Sequence, residues 1–220
     1  MLLLLLLVTS CAAIPQNLSE KMFTFPQETN TAHVRLTTSR QNLQAVTVCF
    51  RFFSDLKREY ALFSLAVPSF YNGFLFYKNV NSFAVCVRNA ESIFEGLDFK
   101  LNKWHSVCGT WSATPGLVQL WLNGEPSSRK FTSSGSSING PIIIALGQDQ
   151  DSHGGGFDAK QSFVGMMSDL HMWDYKLSPY EIRKYMNDRG YAKGNVLNWN
   201  SMDFQIIGRV LIENKQIAFQ

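Results

Sequence analysis

The chain has 220 residues, 45% hydrophobic and 17% charged, enough for one large core or two small ones, and a net charge of +3. All-β sandwiches of this length are often one domain. The basic residues are scattered, with no run longer than pairs such as Lys57-Arg58 or Arg183-Lys184, which argues against the basic stripe of a nucleic-acid-binding surface.

The first residues, MLLLLLLVTSCAA, carry a leucine run, Val8 and then small residues. This pattern predicts a secretory signal peptide over residues 1–13, although the usual basic start is missing. The run is shorter than the ~20 residues a membrane helix needs, and no other segment reads as a transmembrane helix. Asn17-Leu18-Ser19 is a glycan acceptor triplet near the expected mature terminus. Loss of the leader removes Cys11 and leaves Cys49, Cys86 and Cys108. In an oxidising compartment two should pair and one remain free. Three pairings are open; Cys49 and Cys108 lie in strand-like runs that facing strands could bring together.

Short stretches of period-two alternation dominate the rest of the chain. Strands are predicted at Val46–Phe52, Phe74–Tyr77, Phe83–Val87, Trp104–Trp111 and Val118–Leu122. The last of these runs into the hairpin signal Asn123-Gly124. Further strands are predicted at Ile142–Leu146, Met166–Trp173 and Ile206–Ile212. One helix is predicted over Leu177–Gly190. Ser178 caps it, Pro179 fits its first turn, Glu181 completes a capping box and Gly190 ends it. The expected fold is all-β: a two-sheet jelly-roll sandwich with one external helix. The five tryptophans belong mostly to its core.

Between the strands at 142–146 and 166–173 lies LGQDQDSHGGGFDAKQSFVG. It holds the carboxylates Asp149, Asp151 and Asp158, the amides Gln148, Gln150 and Gln161, and a triple glycine. Oxygen-rich, glycine-punctuated loops suit a hard cation, because calcium takes 6–8 oxygens from carboxylates, amides and backbone carbonyls. The same composition is also ordinary turn chemistry. An EF-hand is excluded: counted from Asp149, the twelfth position is Lys160 rather than glutamate. No Gly-Lys-Ser/Thr follows the glycines, no HExxH places paired histidines, and no G-x-S-x-G elbow carries a nucleophile.

This loop, followed by MMSDLHMWD, resembles the calcium loop of the pentraxins, the family of C-reactive protein and serum amyloid P component. The likeness extends over nearly the whole mature chain, through KMFTFPQET, YALFS, LWLNGEP, LSPYEI and VLNWNSM. The Cys-x-Thr-Trp core of the family hallmark stands at Cys108–Trp111. Two hallmark positions depart, with Ser106 in place of histidine and Ala113 in place of serine or threonine. The resemblance implies a single domain over 14–220 and a Cys49–Cys108 disulfide. It also implies two calcium ions per subunit, held by Asn72, Asp149, the Gln150 carbonyl, Asp151 and Gln161. Asp149 stands where the family has glutamate, and Tyr71 stands before Asn72 where the family has aspartate. Losing that carboxylate should weaken one ion. Asn72-Gly73 also reads as a hairpin turn.

By the same resemblance, Tyr77, Cys86 and Glu91 match the positions that receive the ligand's organic cation. A bound calcium attracts an anion, while an aromatic face and a carboxylate suit a cation. The implied function is secreted, calcium-dependent recognition of phosphocholine, phosphoethanolamine or acidic polysaccharide on microbes and damaged cells, in innate immunity. The implied assembly is a cyclic homo-oligomer, commonly a pentamer, whose opposite face meets complement component and Fc receptors. The rival is a jelly-roll glycoside hydrolase with Asp149 and Asp151 as its carboxylate pair. The Glu-x-Asp-x-x-Glu strand of sandwich hydrolases is missing from the sequence.

Overall fold

The computed structural model describes residues 14–216. The expected leader, residues 1–13, lies outside them. Two antiparallel sheets face each other. The larger has the order Glu125–Phe131, Leu117–Leu122, Trp104–Ser112, Ala45–Phe53, Gly165–Trp173, Lys21–Phe25, Leu211–Asn214, with Leu197–Asn198 paired on Gly165–Trp173. The smaller runs Phe204–Ile207, His33–Leu36, Ile143–Leu146, Tyr60–Val67, Phe70–Lys78, Ser82–Val87, Ala90–Glu95. The expected two-sheet sandwich is the observed one.

Alternation decides which side chains meet between the sheets. Along Ala45–Phe53, the even positions Val46, Val48, Phe50 and Phe52 point into the core. Phe50 meets Phe76 of the smaller sheet edge-on, ring centres 5.2 Å apart. Such aromatic pairs add about 0.5–1.5 kcal/mol beyond their buried area. The odd positions face the other way. Cys49 is directly opposite Cys108 in register, and the two are bonded. Cys86 is the free, buried cysteine.

The helix covers the disulfide. It spans Pro179–Met186, with Ser178 and Glu181 forming the expected reciprocal cap. Its buried residues Ile182, Tyr185 and Met186 pack on Cys49, Cys108, Trp121 and Trp173. It is shorter than the predicted Leu177–Gly190, because Asn187 caps it and Gly190 falls beyond. Of the five tryptophans, Trp111, Trp121, Trp173 and Trp199 are buried.

Two strand expectations need correction. Ile206–Ile212 is two strands, parted by a bend at Gly208 and Arg209. Asn72-Gly73 is not a hairpin turn: both lie inside the Phe70–Lys78 strand, and the turn falls at Pro68-Ser69. Glycine is needed at 73 for another reason. A Cβ there would sit 2.9 Å from the Leu65 carbonyl oxygen on the neighbouring strand. Asn123-Gly124 does turn a hairpin, with φ of 52° and 92°. Asn17 is exposed, its Oδ1 accepting the Ser19 backbone N–H at 2.9 Å.

Candidate functional site

Every residue of Tyr60–Val67 is buried, although this strand belongs to a sheet with an outward face. The oxygen-rich loop supplies the cover. It is closed at its base, where the Phe163 N–H donates to the Gly147 carbonyl at 2.9 Å. The loop then folds back over the sheet through Gln150. The Gln150 amide Nε2 donates to the Ser64 carbonyl at 2.9 Å and the Ile143 carbonyl at 3.1 Å, and its Oε1 accepts the Gly154 N–H at 3.0 Å. Its backbone N–H meets Ser64 Oγ at 3.2 Å. The side chain of Gln150 is thus spent on anchoring, and only its carbonyl is left for a ligand. Gly156, at φ 79°, lets the chain return close over Asp151: a Cβ at this position would sit 3.0 Å from the Asp151 Cβ and crowd it. A short 3₁₀ turn, Ala159–Gln161, then brings Gln161 in; Asp158 caps it by accepting the Lys160 N–H at 2.9 Å.

These elements frame a pocket of about 300 Å³ on the outer face of the smaller sheet. Asn72, Asp149 and Gln161 line it together with Tyr77, Cys86 and Glu91. Six of the residues singled out from sequence therefore meet in one place. Asp151 does not line the pocket; it is exposed on the loop. Glu59 and Asn79 also line it, and neither is marked by any sequence motif. The floor is apolar: Ala61, Leu75, Tyr77, Ala84 and Cys86 pack as one small cluster.

The oxygens at one end have nothing to bind. Asn72 Oδ1, Asp149 Oδ1 and Gln161 Oε1 are each shielded from solvent and without a hydrogen-bond partner. Such atoms are rare in folded proteins and call for an explanation. Asp149 is 5% exposed, and burial followed by the charge of Asp151 pushes its carboxyl up to about 7. Burial, then the nearby charge of Asp158, also raises Asp151. In sequence Asp158 is only one more loop oxygen, yet it lies close enough to Asp151 to repel it. A cation among these groups would restore ionisation and partner the orphaned atoms. The donors are carboxylate and amide oxygens, and no trio of His, Cys, Asp or Glu converges among the described residues. That set fits a hard, oxygen-seeking ion rather than zinc. Burial, with lesser contributions from Glu91 and Asp149, raises the Cys86 thiol to about 12, so it acts as a small apolar wall and not as a nucleophile.

A second cleft, about 330 Å³, opens beyond the larger sheet between Asp169, Tyr191, Lys193 and Lys215. Its central carboxylate is already neutralised: Asp169 Oδ2 takes Lys215 Nζ at 2.6 Å and Arg51 Nε at 3.5 Å. It offers no set of orphaned oxygens comparable to that of the first pocket.

A sandwich with an outward oxygen cluster beside an apolar, carboxylate-flanked groove defines a class of ligand-binding β-protein. The sequence profile of the Pentaxin family matches residues 21–214. The chain is 39% identical over 198 residues to serum amyloid P-component of Mus musculus, covering 89% of this chain and 88% of that one. It is 37% identical to C-reactive protein of Rattus norvegicus, covering 90% and 86%. Among solved structures, the native heptameric SAP-like pentraxin of Limulus polyphemus superposes with a TM-score of 0.83 at 25% identity, covering 89% of this chain and 95% of that one. The chain belongs to the pentraxin family. Membership places it with non-enzymatic recognition proteins, and the hydrolase reading falls. Among the described residues no helix is long and apolar enough to cross a membrane.

Proposed function

We propose that the chain is a secreted recognition protein that grips phosphate-bearing amines, phosphocholine or phosphoethanolamine, or acidic polysaccharide, in a calcium-dependent manner. The observation that carries this reading is the trio of unpartnered, shielded oxygens of Asn72, Asp149 and Gln161 at one end of one pocket. Calcium held there supplies a positive pole for the ligand's anionic end. Asp149 and Asp151 provide charge, and the Gln150 carbonyl and the two amides provide neutral oxygens. Tyr77 and the Cys86 wall lie under the ligand's organic part, and Glu91 faces its cation. A glycan at Asn17 and a cyclic homo-oligomer belong to the same reading; the Limulus relative is described as heptameric. A ring with all pockets on one face would add avidity, which reaches about 10²–10⁴-fold in multivalent binders. Complement and Fc-receptor contacts would then fall to the helix side.

The test is capture of the protein on phosphocholine-bearing beads in calcium, its release by chelator, and the same assay on Asp151→Ala. Retention in calcium, release by chelator and loss of retention in the variant are expected. Retention indifferent to chelator would overturn calcium dependence.

A further inference from the structure

The register of the smaller sheet lays out the pocket floor in rows. Ala61 stands opposite Tyr77, and Tyr77 opposite Ala84. One row toward the loop, Leu75 pairs with Cys86 and Cys86 with Glu91. Glu91 therefore flanks the groove level with Cys86, nearer the oxygen cluster than Tyr77. On the other side of Tyr77 the strand from Tyr60 begins. Tyr60 is buried in the core opposite Lys78, so by alternation Glu59 shares the outer face with Ala61. It lines the pocket beside Asn79, at the end away from Asn72. Tyr77 is raised chiefly by burial, then by the charges of Glu59 and Asp149, in keeping with a ring held between the two.

The basic groups around this end are spent elsewhere. Arg58 donates to Glu28 at 3.1 Å and to the Lys160 and Ser162 carbonyls at 3.0 and 2.7 Å. Lys160 binds the same Glu28 at 2.9 Å. Lys78 is turned inward over the rings of Phe83 and Phe99, at 5.1 and 4.7 Å. Among the described residues Glu59 and Glu91 have no ion-pair partner. With calcium balancing Asp149, two unpaired carboxylates remain on the groove.

We propose that Glu59 is a specificity-determining residue of the pocket, a second negative pole beyond Tyr77 that, among the ligands proposed above, favours those joining an anion to an N–H-bearing cation over acidic polysaccharides. The inference rests on the calcium reading of Asn72, Asp149 and Gln161. A ligand anchored by its anion at those oxygens and laid across Tyr77 presents its far end to Glu59. A primary ammonium there donates a charge-assisted hydrogen bond, which a bare anion cannot form. A sulfated or carboxylated polymer brings like charge against Glu59 and Glu91 instead.

Titration calorimetry in calcium on the wild-type protein and Glu59→Gln, with phosphoethanolamine and with inorganic phosphate, tests this. Loss of the charge should weaken phosphoethanolamine about tenfold and leave inorganic phosphate within about twofold. Glu59→Lys should strengthen binding of a sulfated polysaccharide. Glu59 is exposed, and matching melts in chelator confirm that each variant folds. Equal weakening of both ligands, or of neither, overturns the role of Glu59 while leaving the metal site intact. A wild-type protein that binds neither ligand in calcium overturns the underlying site and this proposal with it.

Discussion

By the family resemblance, Tyr71 puts an aromatic where a carboxylate is expected beside Asn72. The ring is 43% exposed, so it is not a packing residue whose loss would empty the core. Tyr71→Asp should therefore leave the melting temperature in chelator nearly unchanged and tighten calcium about tenfold, since charge count in the shell tunes calcium affinity. Unchanged affinity in calorimetry would mean that the metal is held without this strand. His171 gives a second test at the same scale. It is fully buried, its Nδ1 accepting the Gly194 N–H at 3.2 Å, and burial pushes its pKa down to about 4. Between that value and the ordinary 6.5 the unfolded chain binds the extra proton, so stability is full above pH 6.5 and is lost as pH falls toward 4. The loss should be on the order of 2–3 kcal/mol. Melting temperatures in chelator across that window should fall less steeply for His171→Gln than for wild type; parallel slopes would assign the acid sensitivity to other groups. His33 and His105 are lowered in the same direction, chiefly by burial, and add to the wild-type slope. Part of the candidate site is legible at this scale: Asp149 and Gln161 stand in the oxygen-rich loop, whereas Asn72 by itself reads as a hairpin turn and enters only through the family resemblance. Glu59 is not. A lone glutamate before a buried run has no motif, and only the strand register turns it toward Tyr77.

Elements differ in how openly they declare themselves. Ala45–Phe53 alternates, and the expected Val46–Phe52 falls within it. The helix carries its own start signal: Ser178 accepts the Glu181 N–H at 3.3 Å, and Glu181 accepts the Ser178 N–H at 2.7 Å. Ser178→Ala should cost about 1 kcal/mol in denaturant unfolding, with ligand binding unchanged because the helix lies across the larger sheet from the pocket. A change in calcium affinity in this variant would contradict that separation. Tyr60–Val67 is hidden because both of its faces are covered, so its sequence has no period. Glu125–Phe131 is hidden for the opposite reason: it is an edge strand with nearly every residue in solvent. The Phe70–Lys78 strand begins earlier than its sequence suggests, because Asn72-Gly73 looks like a turn. The glycine is there instead to let a neighbouring carbonyl approach.

The whole molecule separates two jobs on two outer faces. One sheet carries the disulfide and the helix; the other carries the loop, the apolar groove and the orphaned oxygens. Between them lies the aromatic core, against which both sheets pack. Function on this reading depends on cation binding at that site, and Asp149→Asn tests it most directly. The substitution keeps size and one oxygen and removes only the charge. Burial already disfavours that charge without a cation, so the variant should melt in chelator at least as high as wild type. Calorimetric titration should then show calcium binding to the wild-type protein and a loss of at least about tenfold in Asp149→Asn. Equal calcium affinity in the two proteins would contradict cation binding by this carboxylate.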